Sequence, residues 1–523
     1  MTDSREAVRA YHARTKHAPG RYARSLGYLD WDTQPDPFRR FVGAPTVALD
    51  VVPPNGAPKY PELFVGAREP APLSRASISQ MLFDSLALSA EKAAGTNRWW
   101  LRVNPSSGNL HPTEGYLVLP AVEGIAQAPA VHHYAPRAHA LERLGAVDGF
   151  ADGTFWVGLT SIHWREAWKY GERAYRYCQH DVGHAIAAVS LAAALLGWRV
   201  RQVPIEDAAL AALLGIDAQT GPEREHPDVL LAVEVVPAEG PVWVPSPGAP
   251  HGFETNTLSR EHHPWPVIDD VAAAAERLDA SAIESSGRVV HALPEHDDAP
   301  DARRVIRTRR SAVAMDGRTG ITRDAFYEML LRTCAGEGHR PFDVLPWSQR
   351  VHLALFVHRV QGLDPGLYLL LRRPDAIEPW REEHPDLDWA KPEGCPASLD
   401  LFRLRVGDAG EVAAAISCGQ AIAADGAFAV AMIAELEDAL EEHGAWFYRA
   451  LHWEAGAIGQ VLYLEAEAAG IRATGIGCFF DDLTHEILGL DGSRRATLYH
   501  FTVGGPVEDD RIQTTDPYAS RTG

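Results

Sequence analysis

The 523-residue sequence is poor in cysteine, and its five cysteines, Cys178, Cys334, Cys395, Cys418 and Cys478, include no CxxC pair. That pattern suggests neither a disulfide framework nor a zinc ribbon, and the cysteines read as reduced thiols. HExxH is missing, and the doublets His132-His133 and His262-His263 lack a second ligand pair at useful spacing, so no metal site is expected. A Walker loop, GxSxG and a Rossmann GxGxxG are absent as well, which removes the motif basis for P-loop enzymes and α/β-type serine hydrolases. The most apolar run, Ala185 to Trp198, is too short to span a bilayer, and Met1 to Lys16 is charged with no apolar signal core, so a cytoplasmic protein is expected. Basic residues are in deficit, 49 against 70 acidic ones, and the formal charge of -21 repels phosphate backbones and anionic lipid. Neither nucleic acid nor a membrane is an expected partner. What remains is an ordinary globular composition, 46% apolar and 23% charged, long enough for two large domains.

The chain repeats itself. Tyr175 to Pro204 aligns without a gap on Tyr448 to Gly477, with seven of 30 positions identical at a register of 273, among them Tyr-Arg at the start, Gly183 with Gly456 and Gly197-x-Arg199 with Gly470-x-Arg472. Ser74 to Phe83 matches Thr322 to Leu331 upstream, and LLGID ending at Asp217 matches ILGLD ending at Asp491 downstream. Three anchors in one order imply two copies of one domain. Each copy reads as a capped helix from Ser74 or Thr322, a strand at Gly115 to Leu119 or Leu353 to Val357, a long helix ended by Gly197 or Gly470, and a late strand at Val229 to Val236 or Thr497 to Val503. The expected fold class is α+β, two tandem domains packed as an intramolecular pseudo-dimer through the long helices. Expected boundaries are an N-terminal extension (1–60), a first domain (61–236), a Pro- and Gly-rich extended linker (237–300) and a second domain (301–523).

Differences between the copies point to the site. Arg303, Arg304, Arg307, Arg309 and Arg310 fall within eight residues and end on Ser311, whereas the first copy has no arginine at that offset, Tyr60 to Leu63. Forked donors beside a hydroxyl suit a phosphate monoester; a solvated basic turn is the alternative. Gly475-Ile-Gly477-Cys478 follows the second long helix where the first copy has Gln202 to Ile205, and glycines there let backbone N–H groups approach a flat ligand. Pro105-Ser106-Ser107-Gly-Asn109 precedes a strand in the first copy only. One half thus offers a basic, glycine-lined half site and the other a Ser/Asn loop.

At these residues the chain resembles the nitroreductase superfamily, whose dimers hold FMN at the subunit interface. The resemblance implies a mostly antiparallel central sheet flanked by helices in each half. It places Arg309, Arg310 and Ser311 on the FMN phosphate and ribityl chain, Pro105, Ser106, Ser107 and Asn109 on the partner side, Gly475, Gly477 and Cys478 near the flavin N5, and Arg511 as a last phosphate contact. Val313 and Gly477 depart from the family pattern, so those two side-chain contacts do not carry over. RVNPSSGNLHPTEGYLV, the opening from Tyr11 to Phe41 and WREAWKYGERAYRY further resemble the SagB/ThcOx-type dehydrogenases, which include oxidases converting peptide azolines to azoles. That subgroup implies a catalytic Lys169-Tyr170 pair, for which the second copy has Glu442 and His443.

The expected function is therefore an FMN-dependent oxidoreductase acting on a modified-peptide or small-molecule substrate, with a cyclodehydratase as a possible partner and further oligomerisation open. Two other readings share the site: an NAD(P)H-dependent nitro- or quinone reductase, and a flavin-holding scaffold without turnover.

Overall fold

The computed structural model describes residues 3–52, 58–66, 68–150, 153–237, 240, 242–248, 252–283, 293–294, 298–334, 336 and 338–521. The first half is built on strands β1 (Thr46–Ala48), β2 (Thr113–Leu119), β3 (Ala130–Ala135), β4 (Ala140–Asp148), β5 (Thr154–Ser161), β6 (Arg199–Val203) and β7 (His226–Glu234). The second half uses β8 (Val351–Val357), β9 (Gly366–Leu370), β10 (Leu401–Val406), β11 (Phe428–Ala434), β12 (Arg472–Ile476) and β13 (Ala496–Gly504). The spatial order is β1-β4-β3-β2-β5-β7-β6 in one sheet and β10-β9-β8-β11-β13-β12 in the other, every neighbouring pair antiparallel. Apart from β1 the two orders are the same path, so the sequence repeat is a repeat of topology.

Most of these strands read as continuous apolar runs because both faces of each sheet are covered. Val351, Leu353, Leu355 and Val357 of β8 point into one core continuous between the halves, while Ala354 and Phe356 face a separate outer cluster. In β2, Leu117 and Leu119 join the shared core and Tyr116 and Val118 an outer cluster of the first half.

The shared core is organised by helices α1 (Arg75–Phe83), α2 (His163–Tyr170), α3 (Ala174–Leu195), α4 (Arg323–Thr333), α5 (Leu436–His443) and α6 (Phe447–Ala468). Ser74 and Thr322 cap α1 and α4 by accepting from the backbone N–H of Ser77 and Ala325, as their positions predict. Gly197 and Gly470 follow α3 and α6 in the left-handed region, φ 72° and 74°.

The two long helices cross where the repeat aligns two glycines. A Cβ on Gly183 would stand 2.3 Å from the Trp453 carbonyl oxygen, and one on Gly456 2.2 Å from that of His180, so the backbones touch only because neither residue has a side chain. The repeated Tyr-Arg is explained by the same pseudo-twofold. Arg176 Nη1 donates to Asp481 at 2.8 Å and its counterpart Arg449 Nη2 donates to Asp207 at 3.0 Å, each pair bridging the halves, while the Tyr175 and Tyr448 rings lie parallel at 6.5 Å.

Two peripheral segments carry more structure than composition suggests. The N-terminal extension forms a helix, Ser4–Arg14, whose Tyr11 hydroxyl donates to the Glu172 carbonyl. The stretch expected as an extended linker contains the helix Pro266–Ala274, with Ile268 and Val271 buried. Hydrophobic positions three apart on one helical face outweigh the proline content around them.

Candidate active site

A cavity of about 470 Å³ opens between the halves. Of the residues singled out in the sequence, Pro105, Ser106, Ser107, Asn109, Tyr170, Arg309, Ser311, Gly475, Gly477 and Cys478 all line it. Residues hundreds of positions apart thus converge because the pseudo-twofold brings the loop before β2 against the turn after β12.

The basic wall comes from the second half. Arg309 ends the helix Ala302–Thr308, and the next residues lie beside β12, with Ser311 bridged in parallel to Ala473 and the Ala312 N–H donating to the Ala473 carbonyl at 3.0 Å. Arg309 is 3% exposed and donates from Nη2 to the Arg102 carbonyl at 3.2 Å, while its Nε and Nη1 have no hydrogen-bond partner among the described residues. Burial pulls its pKa below the ordinary guanidinium value, and the nearby Tyr463 and Glu467 offset that only in part. Tyr463 of α6 ties this wall together: its hydroxyl accepts from Ser311 Oγ at 2.9 Å and from the Gly475 N–H at 3.0 Å.

The facing wall is the Ser/Asn loop. Gly108 and Asn109 have φ 58° and 60°, a left-handed turn that presents the loop edge to the cavity. Asp181 of α3 holds it by accepting from Ser107 N–H at 3.0 Å and Ser107 Oγ at 3.1 Å, and Asn109 Nδ2 donates to the Trp100 carbonyl at 3.0 Å. Lys169 does not line the cavity itself, but with Tyr170 it packs beneath the loop. A Cβ on Gly108 would lie 2.5 Å from the Tyr170 hydroxyl and 3.1 Å from Lys169 Nζ.

Two carboxyl groups missed in the sequence complete this side. Glu166 stands one turn before Lys169 and Tyr170 on α2, fully buried, with neither oxygen hydrogen-bonded to any described residue. Burial, with Asp181 as the next contribution, pushes its carboxyl well above the usual range, and burial raises Asp181 too. For both groups desolvation is the largest cause, because burial penalises the charged form of a carboxyl. Glu-x-x-Lys-Tyr spacing on a helix was the available signal; Asp181 offered none, because its partner loop lies 74 residues away.

The structure gives the other candidate residues their own surroundings. Arg310 turns out of the cavity: its guanidinium donates to the carbonyls of Arg307, Arg309 and Ser89 and lines an adjoining cavity of about 270 Å³. Arg511 is 88% exposed and forked onto Asp509 at 2.7 Å, on a tail whose strand Gln513–Thr515 pairs with Leu88–Ala94 of the first half, and it is not among the residues lining the cavity. Glycine at 475 and 477 is required by tyrosines: Cβ atoms there would fall 2.0 Å from the Tyr499 hydroxyl and 2.2 Å from the Tyr177 ring. Cys478, distant from every other cysteine in sequence, touches Cys418, with 2.7 Å between the sulfurs.

The pseudo-equivalent position is filled. Glu454, the repeat counterpart of Asp181, accepts from the backbone N–H groups of Arg350 and Val351 at 3.0 and 3.2 Å and pairs with Arg372, whose guanidinium covers the Phe342 ring at 4.9 Å. Trp347 and Trp453 are buried beside them. Tyr60, where the second half supplies arginines, donates to Glu465 at 2.7 Å.

Comparison with known proteins matches residues 378–505 to the nitroreductase family. No curated protein sequence matches the chain. Among solved structures, a putative nitroreductase from Anabaena variabilis aligns over 96% of this chain and 99% of its own at 23% identity, with a TM-score of 0.70. A putative nitroreductase from Ralstonia eutropha covers 44% of this chain and 94% of its own at 14% identity and a TM-score of 0.29. The E. coli microcin synthetase McbBCD complex covers 43% and 76% at 15% identity, also at 0.29. The last two alignments are too loose to carry an argument. Residues 378–505 therefore match the nitroreductase family, and the chain has a nitroreductase-like α+β fold in two topologically equivalent halves.

Proposed function

We propose that this protein is an FMN-dependent oxidoreductase of the SagB/ThcOx type, dehydrogenating azoline rings of a modified peptide, or a related small heterocycle, to the aromatic azole. One observation carries the reading: the buried Arg309 guanidinium, with two nitrogens unpartnered among the described residues, lies across one interface cavity from the Ser/Asn loop and Tyr170, with Lys169 packed beneath that loop. Unpaired donors beside Ser311 fit a phosphate monoester, and a cavity of this size fits a flat cofactor with part of a substrate.

FMN, when bound, supplies the hydride acceptor. The chain's residues bind and orient it and manage the proton that must leave the ring carbon. Arg309 and Ser311 hold the phosphate end, and Pro105 to Asn109 cover the opposite side. Tyr170 Oη, on the cavity wall, passes the C–H proton to Lys169 Nζ, which packs with it beneath the Ser/Asn loop and serves as the base. Glu166 and Asp181 stand behind them as buried acidic groups that offset positive charge developing on Lys169. The nearby basic residues also offset a strongly acidic surface for an anionic ligand.

The test is turnover of an azoline-containing peptide by FMN-loaded protein. Lys169→Ala and Tyr170→Phe should retain FMN yet lose most dehydrogenation, while dithionite still bleaches the bound flavin. Wild-type turnover in both variants refutes the assigned roles, and rapid bleaching by NADPH without peptide favours a nitro- or quinone reductase instead.

A further inference from the structure

We propose that Cys418 and Cys478 are a redox-active dithiol on the cavity wall, oxidised to an intramolecular disulfide by small-molecule disulfides. The two sulfurs are 2.7 Å apart although the residues are separated by 60 positions. Cys478 ends the turn after β12 and lines the cavity, so a small molecule reaches it from that side. Cys418 sits in the turn after the helix Gly410–Ile416 with φ 58°, a left-handed backbone that costs a non-glycine residue about 1–2 kcal/mol. Something must hold it there, and Gln420 does, donating from Nε2 to the Ser417 carbonyl at 2.8 Å and to the Cys478 carbonyl at 3.0 Å. The turn is thereby laced to the opposite cysteine independently of the sulfur contact.

The surroundings select this pair among the five cysteines. Cys178 and Cys334 are fully buried, and burial raises both thiols, Cys334 to about 12. Burial also raises the half-buried Cys395, to about 11. Cys478 alone is drawn below the ordinary thiol value, by its hydrogen bond with Cys418 and by the Arg173 guanidinium, so it is the attacking thiolate. Its sulfur attacks one sulfur of the small disulfide, forming a mixed disulfide and expelling one thiolate. Cys418, losing its proton, then attacks the Cys478 sulfur and expels the second thiolate. Two protein thiols are oxidised by two electrons, and the small disulfide leaves as two thiols carrying the two protons. The new bond joins the Ser417 to Gln420 turn to the Gly475 to Cys478 turn and closes that wall covalently.

The experiment uses the full chain, reduced, freed of reductant and incubated with oxidised glutathione, followed by denaturing alkylation and mass analysis. The expected result is three free thiols in place of five, a loss of two hydrogens without a glutathione adduct, and one tryptic product linking Cys418 to Cys478. Cys418→Ser should instead trap a glutathione adduct on Cys478, and Cys395→Ser should behave as wild type. Five free thiols in native protein, under conditions where denatured protein loses them, overturn the proposal, as does a linked product joining another pair. The thiol count needs no flavin, so this inference and the proposed function fail separately.

Discussion

Arg309 is a charge held in a place that disfavours charge, and that separates its role in ligand binding from its role in stability. A charged hydrogen bond to phosphate contributes about 1.5–3 kcal/mol, so Arg309→Met should weaken FMN binding about tenfold or more. The same change removes a buried guanidinium with two unpartnered nitrogens, so the FMN-free protein should melt no lower than wild type. Arg511→Ala should leave the dissociation constant unchanged, because its guanidinium is exposed on Asp509. Flavin fluorescence titration of both variants checks the assignment, and equal losses would return Arg511 to the site. Gly108→Ala should act in the other half: the left-handed φ costs about 1–2 kcal/mol and the new methyl displaces Tyr170. Dehydrogenation should fall with FMN affinity retained, and an unchanged rate would show that the Lys-Tyr pair does not depend on the loop. Of these residues the sequence exposed Arg309, Ser311 and the Ser/Asn loop, because asymmetry between two copies is visible without a structure. It concealed Asp181 and Glu166, because a carboxyl group's function depends on which groups surround it after folding.

At the scale of elements, the α3–α6 crossing rests on backbone contact at Gly183 and Gly456. Gly183→Ala forces a methyl onto the Trp453 carbonyl and should cost about 1–3 kcal/mol, more if the crossing cannot widen. Chemical denaturation gives that value, and a cost below a few tenths of a kcal/mol would contradict the contact. The Arg173 and Arg176 guanidiniums hold Asp481 down to about 2 against the desolvation that would raise it. Its folded pKa lies below the unfolded value near 4, so the stability it contributes is present above that value and lost as pH falls toward 2. Asp481→Asn should flatten the fall in melting temperature between pH 4 and pH 2; an unaltered slope would place the acid sensitivity elsewhere. The helices, their caps and the central strands were legible because apolar spacing and capping residues act locally. The helix Pro266–Ala274 was not, since proline and charge dominate its neighbourhood and burial of Ile268 and Val271 outweighs them.

For the molecule as a whole the prediction is a stoichiometry. One interface position carries a cavity of about 470 Å³, and the pseudo-equivalent one is packed with Trp347, Trp453 and the Glu454–Arg372 pair. Flavin released from saturated protein should amount to one FMN per chain. A ratio near two would require that packing to open and would sink the asymmetric arrangement.

The sequence by itself determined the duplication, the α+β class and which half contributes which part of the cavity, because repeats, periodicity and a missing arginine cluster are properties of linear order. Only the tertiary structure decided that the repeated Tyr-Arg serves paired Arg–Asp bridges between the halves, that Gly475 and Gly477 make room for tyrosines, that Arg310 and Arg511 turn from the cavity, and that Cys418 meets Cys478. The physical reason is that folding, not linear order, decides which groups meet. Arg176 meets Asp481 across the pseudo-twofold, 305 positions away, and Cys418 meets Cys478 within the second half, 60 positions away, separations beyond the reach of any local pattern.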